Sequence, residues 1–166
     1  MFSELRLRHV IAASVAAVSL ALAAGAADAA PPLSGSGTLS YQGAIFNGMR
    51  QAGGNTIIDL TDTVVYTGMF TGTSTLSGRL TLHPDGTANF HDVETFTGTV
   101  NGIAGTATFV LDGQGQGPIV SATAAIVSAT GGLAGLHGVL HENAVVLDPL
   151  IGPVGTYDAQ VGLDNA

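Results

Sequence analysis

Residues 87–100 have the sequence TANFHDVETFTGTV and are the strongest indication of the fold of this chain. Asn101-Gly102 follows them directly. Thr, Val and Phe favour strands, and successive residues of a strand point to opposite faces. Asn-Gly favours a two-residue hairpin, because both residues tolerate a positive φ. The sequence therefore predicts a long strand that turns back into an antiparallel partner over Ile103–Leu111.

Segments that alternate with period two continue on both sides of this hairpin, separated by turn residues. The further predicted strands cover residues 36–46, 56–67, 74–83, 119–128, 136–142 and 155–163. The predicted turns and loops cover 49–55, 84–86, 112–118 and 130–135, and residues 143–154 fit neither class. Thr-Gly pairs at 67–68, 71–72 and 97–98 favour bulges or bends.

About eight sequential strands are typical of an up-and-down barrel or a sandwich. The chain has no cysteine, so its stability depends on packing and on backbone hydrogen bonds. Closing the sheet leaves no strand edge unpaired. We therefore predict an all-β fold, a single closed or nearly closed antiparallel β-barrel of about eight strands.

The N-terminal segment has the features of a secretory signal peptide. Arg6 and Arg8 precede an apolar run over Val10–Ala24, and Ala27-Asp28-Ala29 fits a cleavage site. The run is short for a membrane anchor, which needs about 20 residues. We predict a signal peptide at 1–29, a linker at 30–35 and a barrel at 36–166, in a protein that is secreted or held in the cell envelope.

The predicted mature part is strongly acidic. Its only basic residues besides histidine are Arg50 and Arg79, against ten acidic ones, because Glu4 and Asp28 lie in the leader. Such a surface repels phosphate backbones and anionic lipid headgroups. We therefore expect neither a nucleic-acid partner nor a membrane partner after the leader is removed. The sequence does not predict an oligomeric state.

One face of the segment over residues 87–100 combines aromatic and acidic side chains: Phe90, Asp92, Glu94 and Phe96. The two phenylalanines predict that this face points into the barrel. A carboxylate near aromatic walls has a raised pKa, as general acids and bases often do. The alternative is structural, with Glu94 accepting hydrogen bonds from Tyr41 or Tyr66 or pairing with an arginine.

The remaining polar residues give weaker signals. His137 and His141 have a spacing that chelates zinc on a helix, but Gly135 and Gly138 favour a strand, where the two rings stand far apart. His83 and His91 are expected to be exposed, and Arg79 to point to solvent. Arg50 is expected in a glycine-rich loop, paired with an acid or meeting an anionic ligand. We predict no metal site and no cofactor.

Four motifs resemble an uncharacterised bacterial family of small domains with an allene oxide cyclase-like, calycin-type β-barrel. They are HPDG at 83–86, ETFTGTV at 94–100 leading into Asn101-Gly102, GGLAGLHG at 131–138 and GTY at 155–157. The resemblance covers roughly residues 35–163 and implies a barrel. It does not carry over a cyclase reaction, because the active-site residues of the plant enzymes have no one-to-one match here.

A barrel of this size is filled by side chains or holds one small ligand. The first functional hypothesis is a small, largely apolar molecule in the lumen. Its predicted contacts are Phe90, Phe96, Asp92, Glu94, Tyr41 and Tyr66. The second is a cyclase or isomerase in which Glu94 moves a proton. The third is a structural or interaction protein of the cell envelope, and the sequence does not decide whether the chain is an enzyme.

Overall fold

The computed structural model describes residues 31–148 and 152–164, so the predicted signal peptide lies outside the described residues. These ranges form nine strands and no helix. The strands are β1 (Leu33–Tyr41), β2 (Ile45–Ala52), β3 (Asn55–Gly68), β4 (Phe70–Leu82), β5 (Thr87–Val100), β6 (Ile103–Gln116), β7 (Ile119–Gly131), β8 (Leu136–Asp148) and β9 (Gly152–Leu163). Within the described ranges, nothing helical could span a bilayer.

Eight strands close into an antiparallel barrel, as predicted, and one extra strand lies beside it. The strand order runs β1-β9-β8-β7-β6-β5-β4-β3-β2. The ring closes where β1 pairs with β3, from Gly37 opposite Gly68 to Tyr41 opposite Val64. The extra strand is β2, which pairs with β3 and ends the strand order.

β3 has two partners in succession along the same edge. Its first half, Asn55–Thr61, pairs with β2, and its second half, Val64–Gly68, pairs with β1. β1 and β2 therefore lie end to end along the same edge of β3, with a break at residues 42–44. Asp62 holds the interruption, because its Oδ1 accepts hydrogen bonds from the backbone N–H groups of Gln42 at 3.3 Å and Gly43 at 3.1 Å. The prediction of one continuous strand over 36–46 was wrong at this break, and β1 also begins inside the predicted linker.

Three segments predicted as loops or left unassigned are largely strand. Residues 49–52 belong to β2, which places Arg50 on a strand, and the turn is Gly53-Gly54. Most of the predicted loop at 112–118 belongs to β6, and residues 143–148 and 152–154 belong to β8 and β9. The glycines at 113 and 115 misled the prediction. Gly113 is needed for packing, because a Cβ there would collide with the ring of Phe90.

The Thr-Gly pairs do not form bulges. Gly72 lies opposite Gly98, and Gly98 lies opposite Gly105, without a shift in register. The register shifts fall elsewhere, at Phe46/Gly48, Thr108/Phe109 and Val146/Asp148. The glycines allow close packing, since a Cβ on Gly98 would collide with the Thr71 carbonyl and lie 2.7 Å from Phe96 Cζ.

The end of the barrel at the β3–β4, β5–β6 and β7–β8 turns is closed by apolar side chains, and we call it the closed end. Met69, Phe70, Val100, Leu133 and Leu136 are all buried there. Above them, five aromatic rings pack edge-to-face or stacked, with centroids 5.5 to 6.3 Å apart. They are Tyr66, Phe70, Phe96, Phe109 and Tyr157. This aromatic floor fills the lower half of the lumen.

Tyr157 ties the floor to the backbone of the β3–β4 turn. Its Oη accepts a hydrogen bond from the Phe70 N–H at 2.8 Å and donates to the Thr67 carbonyl at 3.0 Å. Leaving a buried backbone group without a partner costs about 1–3 kcal/mol. We therefore predict that Tyr157→Phe lowers the free energy of unfolding by about 1–3 kcal/mol, measured by urea denaturation.

Thr156→Val, on the exposed face of the same strand, is the control and should change the free energy of unfolding by less than about 0.5 kcal/mol. Equal effects of the two substitutions would show that the Tyr157 hydroxyl does not anchor the turn.

Candidate functional site

The end of the barrel opposite the closed end is less covered, and we call it the open end. The turns β2–β3, β4–β5 and β6–β7 lie there. Inward-facing side chains near it are partly exposed, whereas those of the floor are fully buried. Tyr41, Leu60 and Phe90 are partly buried and pack against the core. The lumen is therefore sealed at the closed end, and its side chains become partly exposed to solvent towards the open end.

β2 presents apolar side chains on the lumen side of this open end. Directly paired residues share a face of a sheet, and Phe46 and Met49 lie opposite Leu60 and Ile58. Ile58 is buried, yet Phe46 is 60% exposed and Met49 is 64% exposed. Two large apolar side chains thus face the lumen side without being covered by the described residues.

Below the open end, three carboxyl groups point into the barrel and form what we call the acid layer: Asp92, Glu94 and Glu142. All three are buried, Glu94 completely. The Tyr66 Oη lies 2.9 Å from Glu94 Oε2 and 3.0 Å from Glu142 Oε1. Ser74 Oγ donates to the same Glu94 oxygen at 2.5 Å.

Tyr66 cannot satisfy both glutamates as carboxylates. A phenol has one proton to donate, so it donates to one glutamate. The other must itself carry a proton and donate it to the phenol oxygen, or two unprotonated oxygens would face each other. The contacts therefore place at least one proton on the pair Glu94 and Glu142.

Burial raises the pKa of every member of the acid layer, because desolvation disfavours the charged form. The pKa of Asp92 is raised to about 6, that of Glu94 to about 7 and that of Glu142 to about 8. The negative charge of Glu94 adds to the effect on Glu142. Burial also raises the pKa values of Tyr41 and Tyr66, which keeps both phenols neutral.

No basic side chain among the described residues forms an ion pair with these acids, although the charge of His91, on the outer face of β5, lowers the pKa of the neighbouring Asp92. Arg79 donates to Asp59 at 2.7 Å on the outer surface, and Arg50 lies 4.0 Å from the same carboxylate. The prediction that Arg50 pairs with an acid is thus confirmed, but from a strand and not from a loop. His91 contacts Asp112 on the outside, 2.7 Å away. Within the described ranges, Glu94 and Glu142 have no cationic partner, and burial favours their protonated forms.

One polar atom of the layer is unsatisfied. Glu94 Oε1 is fully buried and has no hydrogen-bond partner among the described residues, although Glu94 Oε2 accepts or shares two. Buried polar atoms are rarely left without a partner. This atom marks the point of the lumen where a donor is missing.

The predicted inward face of β5 is confirmed, because Asp92, Glu94 and Phe96 are buried and Phe90 is partly buried. The structure separates these residues by depth, however. Phe96 and Tyr66 belong to the aromatic floor, whereas Phe90 and Tyr41 lie nearer the open end. The structural interpretation of Glu94 is confirmed as to its hydrogen bond with Tyr66.

Sequence reasoning missed two acids of the interior. Glu142 alternates with Leu140 and Ala144, which are buried, and Asp62 alternates with Val64. The same period-two reasoning that placed Glu94 inside would have placed both. His141 drew attention instead, but it is exposed and lies 3.2 Å from Thr123 Oγ1.

Two further histidine expectations differ in outcome. His91 is exposed, as expected, whereas His83 is half-buried beside Asn55 at 3.1 Å. Among the residues that the structure describes, no three acidic or histidine side chains are arranged to hold a metal ion. Concavities in the barrel wall are lined mainly by outward-facing polar residues such as Asn89, Gln114 and Ser121.

The fold and the site define a closed β-barrel with an acidic layer between an apolar open end and an aromatic floor. The sequence profile of DUF3224, a family of proteins of unknown function, matches residues 46–144. The chain therefore belongs to the DUF3224 family. The relation to allene oxide cyclases stays a prediction.

A crystal structure of a DUF3224 protein of unknown function from Shewanella oneidensis MR-1 has the same fold. Its TM-score is 0.63 at 15% sequence identity, over 81% of this chain and 99% of that one. No curated protein matches the chain.

The raised pKa values make stability depend on pH in a defined direction. A glutamate has a pKa near 4.5 when unfolded, so between about pH 4.5 and 8 the folded state binds more protons than the unfolded one. Stability is then highest at the acid end of this window and falls as pH rises, by up to about 1.4 kcal/mol per pH unit for each such group. We predict that the free energy of unfolding decreases from pH 5 to pH 8, measured by urea denaturation.

Glu142→Gln should flatten this slope, because its amide N–H can replace the carboxyl proton that reaches Tyr66. The variant should match the parent protein at pH 5 and exceed its stability at pH 8. Asp158→Asn, which removes an exposed carboxylate, is the control. An unchanged slope in Glu142→Gln would mean that Glu142 titrates normally.

Proposed function

We propose that the protein binds a small, largely apolar molecule at the open end of its barrel. The observation that carries this proposal is the exposure of Phe46 and Met49 on the lumen side of β2, in line with buried core residues. Exposed apolar surface that continues a core is typical of a binding site. Tyr41, Leu60 and Phe90 extend this surface inward.

Because the closed end is packed, we propose that a ligand enters from the open end only. The aromatic floor is packed without exposed surface, so Phe96 and Tyr66 set the depth that a ligand can reach. Phe90 lies against Gly113, where any side chain would displace its ring. The Phe90 ring therefore fills the space over Gly113 and lies on the same face of β5 as Asp92 and Glu94.

An exported cyclase or isomerase is the second candidate, with Glu94 as the group that moves a proton. Its pKa near 7 favours this role, because an acid–base catalyst works best when its pKa is close to the working pH. Bound ligand recovered unchanged after incubation would favour binding, whereas a rearranged product would favour the enzyme. Export stays a prediction from residues 1–29.

A neutral apolar dye tests the proposed site. We predict that N-phenyl-1-naphthylamine binds the purified protein with a rise in fluorescence, and that Phe46→Ser combined with Met49→Ser raises its Kd at least about tenfold. A tenfold change corresponds to about 1.4 kcal/mol, less than the transfer of one large apolar side chain from water.

Ile45→Ser is the matched control, because Ile45 is 66% exposed but lies opposite Thr61 on the other face of the same strand. It should leave the Kd unchanged. Equal losses in both variants, or no dye binding at all, would contradict the proposal. A change of oligomeric state in the Phe46/Met49 variant, without a change in dye binding, would favour the interaction protein instead.

A further inference from the structure

We infer that the ligand is an amphipathic amine, which places its ammonium group in the acid layer and its apolar body between Phe46, Met49 and Phe90. This inference rests on the proposed function, because it names the chemical class of the molecule bound in the same lumen. It adds which end of the ligand enters the barrel first and which side chains of the protein bind that end.

The first observation is the charge of the interior. Asp92, Glu94 and Glu142 are buried together, and within the described ranges no basic side chain enters the barrel to pair with them; His91 acts on Asp92 from the outer face of β5, where it contacts Asp112. A buried carboxylate without a counter-charge is strongly disfavoured, and an ammonium group supplies that counter-charge. A carboxylate or phosphate headgroup would instead add to the repulsion.

The second observation is independent of charge and concerns hydrogen bonds. Glu94 Oε1 is fully buried and unpartnered, while the other oxygen of the same group is within 2.9 Å of two donors. An ammonium group has three N–H donors and no acceptor. It can therefore satisfy Oε1 and still reach a second carboxylate of the layer.

The third observation is the order of the residues with depth. Along β5 the inward face runs from Phe90 at the open end through Asp92 and Glu94 to Phe96 in the floor. Apolar surface thus lies above the acids, and the floor below them is sealed. A ligand with a cationic head and an apolar tail matches this order only when its head enters first.

Gly78 makes room for the carboxyl group of Asp92 in the acid layer. The Asp92 carboxyl group occupies the space beside Gly78, where a Cβ would collide with it. Gly78 lies directly opposite Asp92 in the β4–β5 pair. The Asp92 carboxyl group is therefore packed against the backbone of β4, where it accepts a hydrogen bond from the backbone of Arg79.

Protons and the ammonium group compete for the same oxygens. The groups that face the layer are Asp92 and Glu94 on β5, Glu142 on β8, Asp62 and Tyr66 on β3, Tyr41 on β1, Tyr157 on β9 and Ser74 on β4. None of these inward groups is basic; His91 and Asp112, on the outer face of the sheet, act on Asp92 through their charges. Binding of an amine therefore ionises the layer and releases protons to solvent, whereas binding of an alcohol does not.

Three ligands of equal length test the inference by displacement of the dye: decylamine, 1-decanol and decanoate. The amine should displace the dye at a concentration at least about tenfold lower than the alcohol, and decanoate should be weakest. Glu94→Gln should reduce the preference for the amine over the alcohol at least about fivefold. Asp158→Asn, on the outer surface, should leave that preference unchanged.

Calorimetry on the unmodified protein provides a second readout that does not depend on a variant folding. Decylamine titrated at pH 7 in two buffers with different ionisation enthalpies should show net proton release, and 1-decanol should show none. Equal displacement by amine and alcohol without proton release would overturn the inference and leave the proposed function standing. Failure of all three ligands to displace a dye that does bind would overturn the inference alone, whereas failure of the dye to bind would overturn both.

Discussion

The proton shared around Tyr66 is the constraint on which the interior depends. One phenol lies within 3.0 Å of two buried glutamates, and no described basic side chain balances them. The pair must hold a proton for the contacts to be favourable. The centre of the barrel thus holds buried acids whose protonated forms are favoured by folding, and this makes its stability depend on pH.

The acid layer and the open end both depend on β3, whose two halves pair with different strands. β3 pairs with β1 to close the ring and with β2 where the ring opens, and Asp62 holds the interruption between them. Closure of the ring buries Tyr66 and Glu94. β2 lies outside the ring and pairs with β3 alone, which leaves Phe46 and Met49 uncovered on the lumen side. β3 is therefore next to both the buried acids and the exposed apolar side chains of β2.

Period-two alternation was enough to predict much of this from the sequence. It placed β5 and its hairpin correctly and turned Phe90, Asp92, Glu94 and Phe96 inward, because one alternating strand determines the face of each residue. It failed where glycine serves packing, as at Gly113, since a glycine that accommodates a ring has the same appearance in sequence as a glycine in a loop. The meeting of Glu94 with Glu142 could not be predicted, because it depends on how β5 and β8 face each other across the closed ring.

Titration of the glutamates is the most direct test of whether Glu94 and Glu142 hold a proton in the folded protein near neutral pH. The chain has three, Glu4, Glu94 and Glu142, so selective ¹³C labelling of glutamate carboxyl groups gives a spectrum simple enough to follow by NMR from pH 4 to pH 9. We predict that Glu94 titrates near 7 and Glu142 near 8, as a coupled pair whose signals shift together. Titration of both near the unfolded value of about 4.5 would contradict it.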